Sequence, residues 1–207
     1  MKSFPNHRYE SAAEYLDEYA AQLTAAMASI SRESLDRAAS LITATLERDA
    51  TVFACGNGGS GAIADHLGCD HQKGIHRGTH YRPRVVSLAG NTALLTAAAN
   101  DFGYSEAFAL PLSLHARPGD LLITISSSGN SENIVRALEV AQTVGLKRIT
   151  MTGFDGGRSR HMADANIHVA AYNYGVVEDA HQACMHILAQ YVRQAAMSEK
   201  SVRDSVF

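Results

Sequence analysis

The sequence predicts an α/β fold: a parallel sheet covered by helices on both faces, with two further helices ahead of it. Two observations carry this expectation. The first fifty residues hold only helical periodicity. From residue 51 onward, short apolar runs alternate with helical stretches. Strand–helix alternation of this kind argues for a parallel sheet covered on both faces, its strands buried on both sides where they lack polar alternation.

The elements follow in order. Leu16, Tyr19, Leu23, Met27 and Ile30 recur at steps of three and four and form one apolar stripe. Ser31 can cap a second helix, with Ile30 and Leu35 placed for a hydrophobic staple. That helix runs to about Arg48, with Leu35, Ala38, Ala39, Ile42 and Leu46 on one face. The pair can pack on the body of the domain or against another subunit. Strands are expected at 51–54, 84–88, 120–125, 148–152 and 166–170. Helices are expected near 60–72, 91–99, 105–115 and 131–144, with a last one at about 177–197. Residues 72–83, QKGIHRGTHYRP, read as an exposed loop. The chain is thus read as one domain: a helical extension (1–48), an α/β core (49–197) and a tail (198–207).

Composition narrows the function. The 207 residues suffice for one substantial core, and 46% hydrophobic with 19% charged residues describes a folded, water-soluble chain. A net charge of -3 argues against a nucleic-acid surface. The first residues, MKSFPNHRYESAAEYLDEY, lack the apolar core of a signal peptide. The uncharged stretch from Val85 to Asn100 is interrupted by Ser, Gly, Asn and Thr, so no membrane span is expected. Cys55, Cys69 and Cys184 are scattered without a CxxC pair, which suggests reduced thiols and a cytoplasmic location.

Two strand ends lead into loops suited to an anion. The first, TVFACGNGGS at 51–60, runs from strand through Gly56, Gly58 and Gly59 into a helix. The second, LLITISSSGNS at 121–131, precedes another helix and offers Ser126, Ser127, Ser128 and Ser131. That is more hydroxyls than a helix cap needs. Neither loop has the Walker A or the dinucleotide pattern, so a sugar phosphate fits better than a nucleotide. For acid/base or metal chemistry, His66 and Asp70 are four apart on one helix face. Glu178, Gln182 and His186 form a second row of the same spacing, with His181 one turn from Glu178. Imidazole with carboxylate suits a divalent ion such as Zn²⁺, and it suits proton transfer. His71, His76 and His80 read as surface residues around the exposed loop.

CGNGGS at 55–60, ANDFGY at 99–104, GDLLITISSSGNSENIV at 119–135 and TGFDGG at 152–157 together resemble the sugar isomerase (SIS) domain. More narrowly they resemble the phosphoheptose isomerases, over about residues 9 to 195. The resemblance implies a three-layer fold with a five-stranded parallel sheet, a homotetramer, and active sites at subunit interfaces. It matches Asn57, Gly58, Gly59 and Ser60 to one substrate loop, Asn100 and Asp101 to a second contact, and Ser126, Ser127, Ser128 and Ser131 to the phosphate cradle. His66 and His186 match zinc ligands, His186 also serving as an acid/base.

Two positions depart from the family pattern. Asp70 stands where the family carries a glutamate that is ligand and base, and Glu178 stands where it carries glutamine. The implied metal set is then His66, Asp70, Glu178 and His186. Asp70 and Glu178 are the candidate bases, and Asp70 is favoured because it shares a helix face with His66. The expected activity is aldose–ketose isomerisation of a phosphorylated sugar, sedoheptulose 7-phosphate to D-glycero-D-manno-heptose 7-phosphate, without nucleic-acid or membrane partners. An isomerase of another sugar phosphate, or a non-catalytic SIS module that senses sugar phosphates or binds a protein, are the alternatives. The retained histidines and carboxylates favour the enzyme.

Overall fold

The computed structural model describes residues 4–207; Met1–Ser3, assigned above to the helical extension, lie outside the described residues. Helix α1 (Ala12–Ala28) is capped by Ser11, whose hydroxyl accepts from the Glu14 amide. Helix α2 (Arg32–Glu47) is capped by Ser31 in the same way, through the Ser34 amide. Ile30 is buried and Leu35 packs on the same core, the pairing expected of a staple. The stripe on α1 needs one correction. Leu16 is 62% exposed, and Tyr15 takes its place against the core beside Tyr19.

Five parallel strands follow: β1 (Thr51–Gly56), β2 (Arg84–Ser87), β3 (Leu121–Ser126), β4 (Lys147–Thr152) and β5 (Ala165–His168). They lie in the order β2-β1-β3-β4-β5. The intervening helices are α3 (Gly58–Cys69), α4 (Thr92–Phe102), α5 (Ala109–His115), α6 (Glu132–Val144) and α7 (Tyr174–Ala195). Strand residues alternate between two cores. Val52, Ala54, Leu121, Ile123 and Ile125 face α2, α3 and α7, whereas Phe53, Cys55 and Leu122 face α5 and α6. This is the three-layer arrangement expected of a parallel sheet with helices on both faces. No described helix is long and apolar enough to cross a membrane.

Two stretches differ from expectation. Residues 72–83 are not simply an exposed loop, because Ile75 is fully buried and Tyr81 nearly so. A π-helical turn, Asp70–Gly74, continues α3 into this stretch. His71 is also buried, contrary to its reading as a surface residue, because this turn aims it inward. His76 instead makes a 2.8 Å hydrogen bond from its Nδ1 to the Tyr81 carbonyl, and His80 lies over the Tyr81 ring. The segment after 197 forms a short helix, α8 (Glu199–Arg203), and returns to α7, where Phe207 lies against the Arg193 guanidinium.

His181 sits beneath the sheet, fully buried, with Nε2 donating to the Thr152 carbonyl at 3.2 Å. Burial pushes its pKa down to about 4, against the opposing pull of that carbonyl. Between the ordinary histidine value and 4, the unfolded chain binds a proton that the folded chain refuses, so stability rises with pH across this window. The effect is on the order of 3 kcal/mol for one such histidine. Urea unfolding of His181→Gln should therefore show a smaller loss of stability from pH 7 to pH 4.5 than the unsubstituted chain. An equal loss in both proteins would contradict this assignment.

Candidate active site

Strand order sets the location. The connections from β1 run to β2 on one side, whereas β3 lies on the other, so β1 and β3 flank the switch point of the sheet. Ligands of open parallel sheets bind outside the carboxyl ends of such strands. Here a cavity of about 130 Å³ lies at those ends, lined by Asn57, Ser60, Ser126, Ser127, Ser128, Ser131, Tyr174 and Glu178. It lies beside the N-terminal ends of α3, α6 and α7, whose unpaired amides and dipoles favour an anion.

The serine loop carries hydroxyls that its helix does not use. Ser131 is the N-cap residue of α6, yet its side chain makes no capping bond. The Ser127 hydroxyl is buried and has no protein partner. A buried, unpartnered hydroxyl costs roughly 1–3 kcal/mol unless something fills its valence. The TGFDGG motif explains the shape of this loop. The Gly153 amide donates to the Ser127 carbonyl at 2.9 Å, and Ser159 donates to the Gly129 carbonyl through amide and hydroxyl at 2.9 and 2.8 Å. Gly157, with φ +52, packs so closely that a Cβ would strike the Ser128 and Gly129 backbone.

The glycine loop is held from its other side. Asn57 and Asn133 exchange two amide hydrogen bonds at 3.0 and 2.9 Å, and the Tyr104 hydroxyl donates to Asn57 Oδ1 at 2.8 Å. Asn133 and Tyr104 were not singled out from the sequence. Tyr104 is the member of ANDFGY that reaches the site, whereas Asn100 and Asp101 are exposed and hydrogen-bond to each other at 2.8 Å. They do not line the cavity. Gly58 has φ +54, a conformation that suits glycine at the start of α3. Gly59 faces Glu178, whose carboxylate occupies the space a Cβ would need.

Further along α7, and towards the end of α3 and the π-helical turn that follows it, stands a second group. His66, Asp70 and His186 bring one possible ligand atom each within 4.8 Å of one another. His186 Nδ1 donates to Asp70 Oδ2 at 2.7 Å, and His66 Nε2 lies 3.5 Å from Asp70 Oδ1. Gln182 closes the ring, its Nε2 donating to His66 Nδ1 at 3.0 Å and to His186 Nε2 at 2.9 Å. Two imidazoles and a carboxylate at these separations fit a divalent ion such as zinc. Glu178, expected as a fourth ligand, is not in this group and belongs to the serine-lined cavity. Burial raises its pKa, and the Asp179 charge adds to the effect. A larger cavity of about 460 Å³ opens beside Asp70 and His186, lined among others by Lys73, Arg77 and Arg193.

The profile of the SIS domain family matches residues 14–153. A phosphoheptose isomerase of Rhodospirillum rubrum is 36% identical over 169 residues, covering 80% of this chain and 87% of the relative. Among solved structures, phosphoheptose isomerase GmhA from Neisseria gonorrhoeae superposes with a TM-score of 0.80 at 29% identity, over 88% of this chain and 96% of the other. A phosphoheptose isomerase from Francisella tularensis gives 0.81 at 28% identity, over 89% and 99%.

The amide pair under the glycine loop makes a stability prediction. Asn133→Ala leaves the Asn57 amide without its main partner and should cost about 1–3 kcal/mol in denaturant unfolding. Tyr104→Phe removes one hydrogen bond at an exposed ring and should cost about 0.5–1.5 kcal/mol. Equal losses, or a larger loss for Tyr104→Phe, would count against the amide pair as the anchor of the loop.

Proposed function

The chain belongs to the SIS domain family, in its phosphoheptose isomerase branch, and we propose that it interconverts sedoheptulose 7-phosphate and D-glycero-D-manno-heptose 7-phosphate. The observation that carries this reading is one continuous row of chemistry along α7. It begins at an anion cradle with an unpartnered hydroxyl and ends at an imidazole–carboxylate cluster. A phosphate needs the first, and an aldose–ketose proton shift needs the second.

The roles follow from position. Ser126, Ser127, Ser128 and Ser131 take the phosphate, assisted by the amides that begin α6. Asn57, Gly58, Gly59 and Ser60 lie along the sugar, where the small glycines allow close approach. Asn100 and Asp101, exposed at the end of α4, contact substrate only at the outer rim or across a subunit boundary. His66, Asp70 and His186 would hold a divalent ion, which when bound polarises the substrate carbonyl.

We take Glu178, rather than Asp70, as the base. Asp70 already accepts from one imidazole and adjoins the other. Glu178 faces the cavity, and its raised pKa suits a group that must both take and return a proton. His186, oriented by Asp70, serves the oxygen-bound protons. Cys55, Cys69 and Cys184 are unpaired thiols, in keeping with a cytoplasmic enzyme.

With purified, zinc-loaded protein, sedoheptulose 7-phosphate should be converted and Glu178→Gln should lower kcat by about 10²–10⁴-fold while substrate still binds. Loss of less than about tenfold, with Asp70→Asn abolishing turnover, would return the role to Asp70. No turnover by the unsubstituted protein would favour a sensing module instead.

We propose further that the chain forms a homotetramer through its N-terminal helices. The support is the outward face of α1, where Leu16 is 62% exposed. Light scattering at micromolar concentration should give four chains, and Leu16→Glu should give smaller species. A monomeric unsubstituted protein would contradict this.

A further inference from the structure

The serine-lined cavity is small. Its volume of about 130 Å³ is that of roughly four water molecules in the liquid. A phosphate group takes up most of this space, so the carbons that carry it lie at the open side of the cavity. The lining there is not uniform. Serines, Asn57, Glu178 and the buried Ile125 are joined by one large ring, that of Tyr174, which is 62% exposed. The face of an aromatic ring is electronegative and offers a phosphate nothing, whereas it packs well on C–H groups.

Tyr174 is held where it stands. It is the first residue of α7, one turn before Glu178 on the same helix face and about 6 Å from it along the axis. Asn173 fixes that turn by accepting from the Val176 amide at 3.0 Å. The Tyr174 ring meets the Phe154 ring edge to face, with centroids 4.8 Å apart and an interplanar angle of 84°. Phe154 in turn stacks on Tyr172, with centroids 5.8 Å apart. Phe154 sits at φ +50, a conformation that bulky residues rarely adopt, and its amide donates to the Ala171 carbonyl at 3.1 Å. The same TGFDGG segment supports the serine loop from behind, through Gly153 and Gly157. One turn thus places both the hydroxyls and the ring beside them. An exposed side chain braced in this way loses little freedom on meeting a ligand.

We propose that Tyr174 is a specificity-determining residue: its ring packs on the carbons next to the bound phosphate, so that the cradle selects a sugar phosphate over free phosphate. This rests on the phosphate cradle put forward above and deepens it. The ring does the work, and the hydroxyl is not required. From Tyr174 the sugar runs on along the same face of α7, past Glu178.

The test compares two ligands by calorimetry: inorganic phosphate, and D-glucitol 6-phosphate, a polyol phosphate that has no carbonyl and cannot be isomerised. Tyr174→Ala should weaken glucitol 6-phosphate by about 3–10-fold and leave inorganic phosphate within about twofold. Tyr174→Phe, which keeps the ring, should bind both ligands as the unsubstituted chain does. Circular dichroism verifies the fold of each variant, and if Tyr174→Ala does not fold, Tyr174→Gln with the same ligands decides. Unchanged affinity for glucitol 6-phosphate in Tyr174→Ala would overturn the proposal, as would an equal loss for both ligands. A loss in Tyr174→Phe as large as in Tyr174→Ala would transfer the role to the hydroxyl and overturn it too. An unsubstituted protein that binds neither ligand would overturn both this proposal and the cradle on which it rests. The predicted selectivity in a protein that does not turn over sedoheptulose 7-phosphate would support this proposal and overturn the isomerase reading alone.

Discussion

α3 and α7 lie side by side with their N-terminal ends at the same edge of the sheet, and their contacts run from Gly59 with Glu178 through His66 with Gln182 to Asp70 with His186. A side chain at position 59 would collide with the Glu178 carboxylate and turn it away from the start of α3. Steps of four and of seven both return a helix to nearly the same face, so His66, seven residues past Gly59, meets Gln182, four past Glu178, and Asp70, four further on, meets His186. One register thus delivers an acceptor carboxylate to the sugar end and an imidazole pair to the far end.

The sheet supplies the other constraint. β1 and β3 are neighbours, yet their chains leave in opposite directions, and the cleft between the departing loops is where the helix N-termini gather. The loops are stiff at this point. Asn57 and Asn133 join the glycine loop to the start of α6 by a double amide bond, and the 153–159 segment supports the serine loop from behind. An anion site made of backbone amides and hydroxyls requires this stiffness, because donors that must reorganise on binding lose much of their advantage.

Much of this was legible in the sequence. Short apolar runs between helical stretches located all five strands within one or two residues, because strand residues must fill the cores on the two sides of the sheet. The surplus of serines pointed to an anion loop, and the structure places those four serines around one cavity, with Ser131 at the N-cap making no capping bond. What was not legible depends on contacts between distant segments. The π-helical turn at Asp70–Gly74 carries no composition signal, yet it buries His71 and changes the supposed loop. The placing of Glu178 away from the histidines follows from helix register, which spacing within one helix cannot reveal. Gln182 was visible as part of a polar row on α7, but only the facing helix shows that its amide stands between two rings. Tyr104 and Asn133 matter through Asn57, a tertiary partner that neither local pattern announces.

The account's central claim is that one helix register divides the site into a phosphate-and-base half and a metal half. A crystal structure of the protein with Zn²⁺ and sedoheptulose 7-phosphate tests it most directly. The account predicts phosphate on the hydroxyls of Ser126–Ser128 and Ser131, the metal bound by the His66–Asp70–His186 group, and Glu178 against the sugar carbons without touching the metal. Phosphate held elsewhere, or a metal coordinated by Glu178, would contradict it.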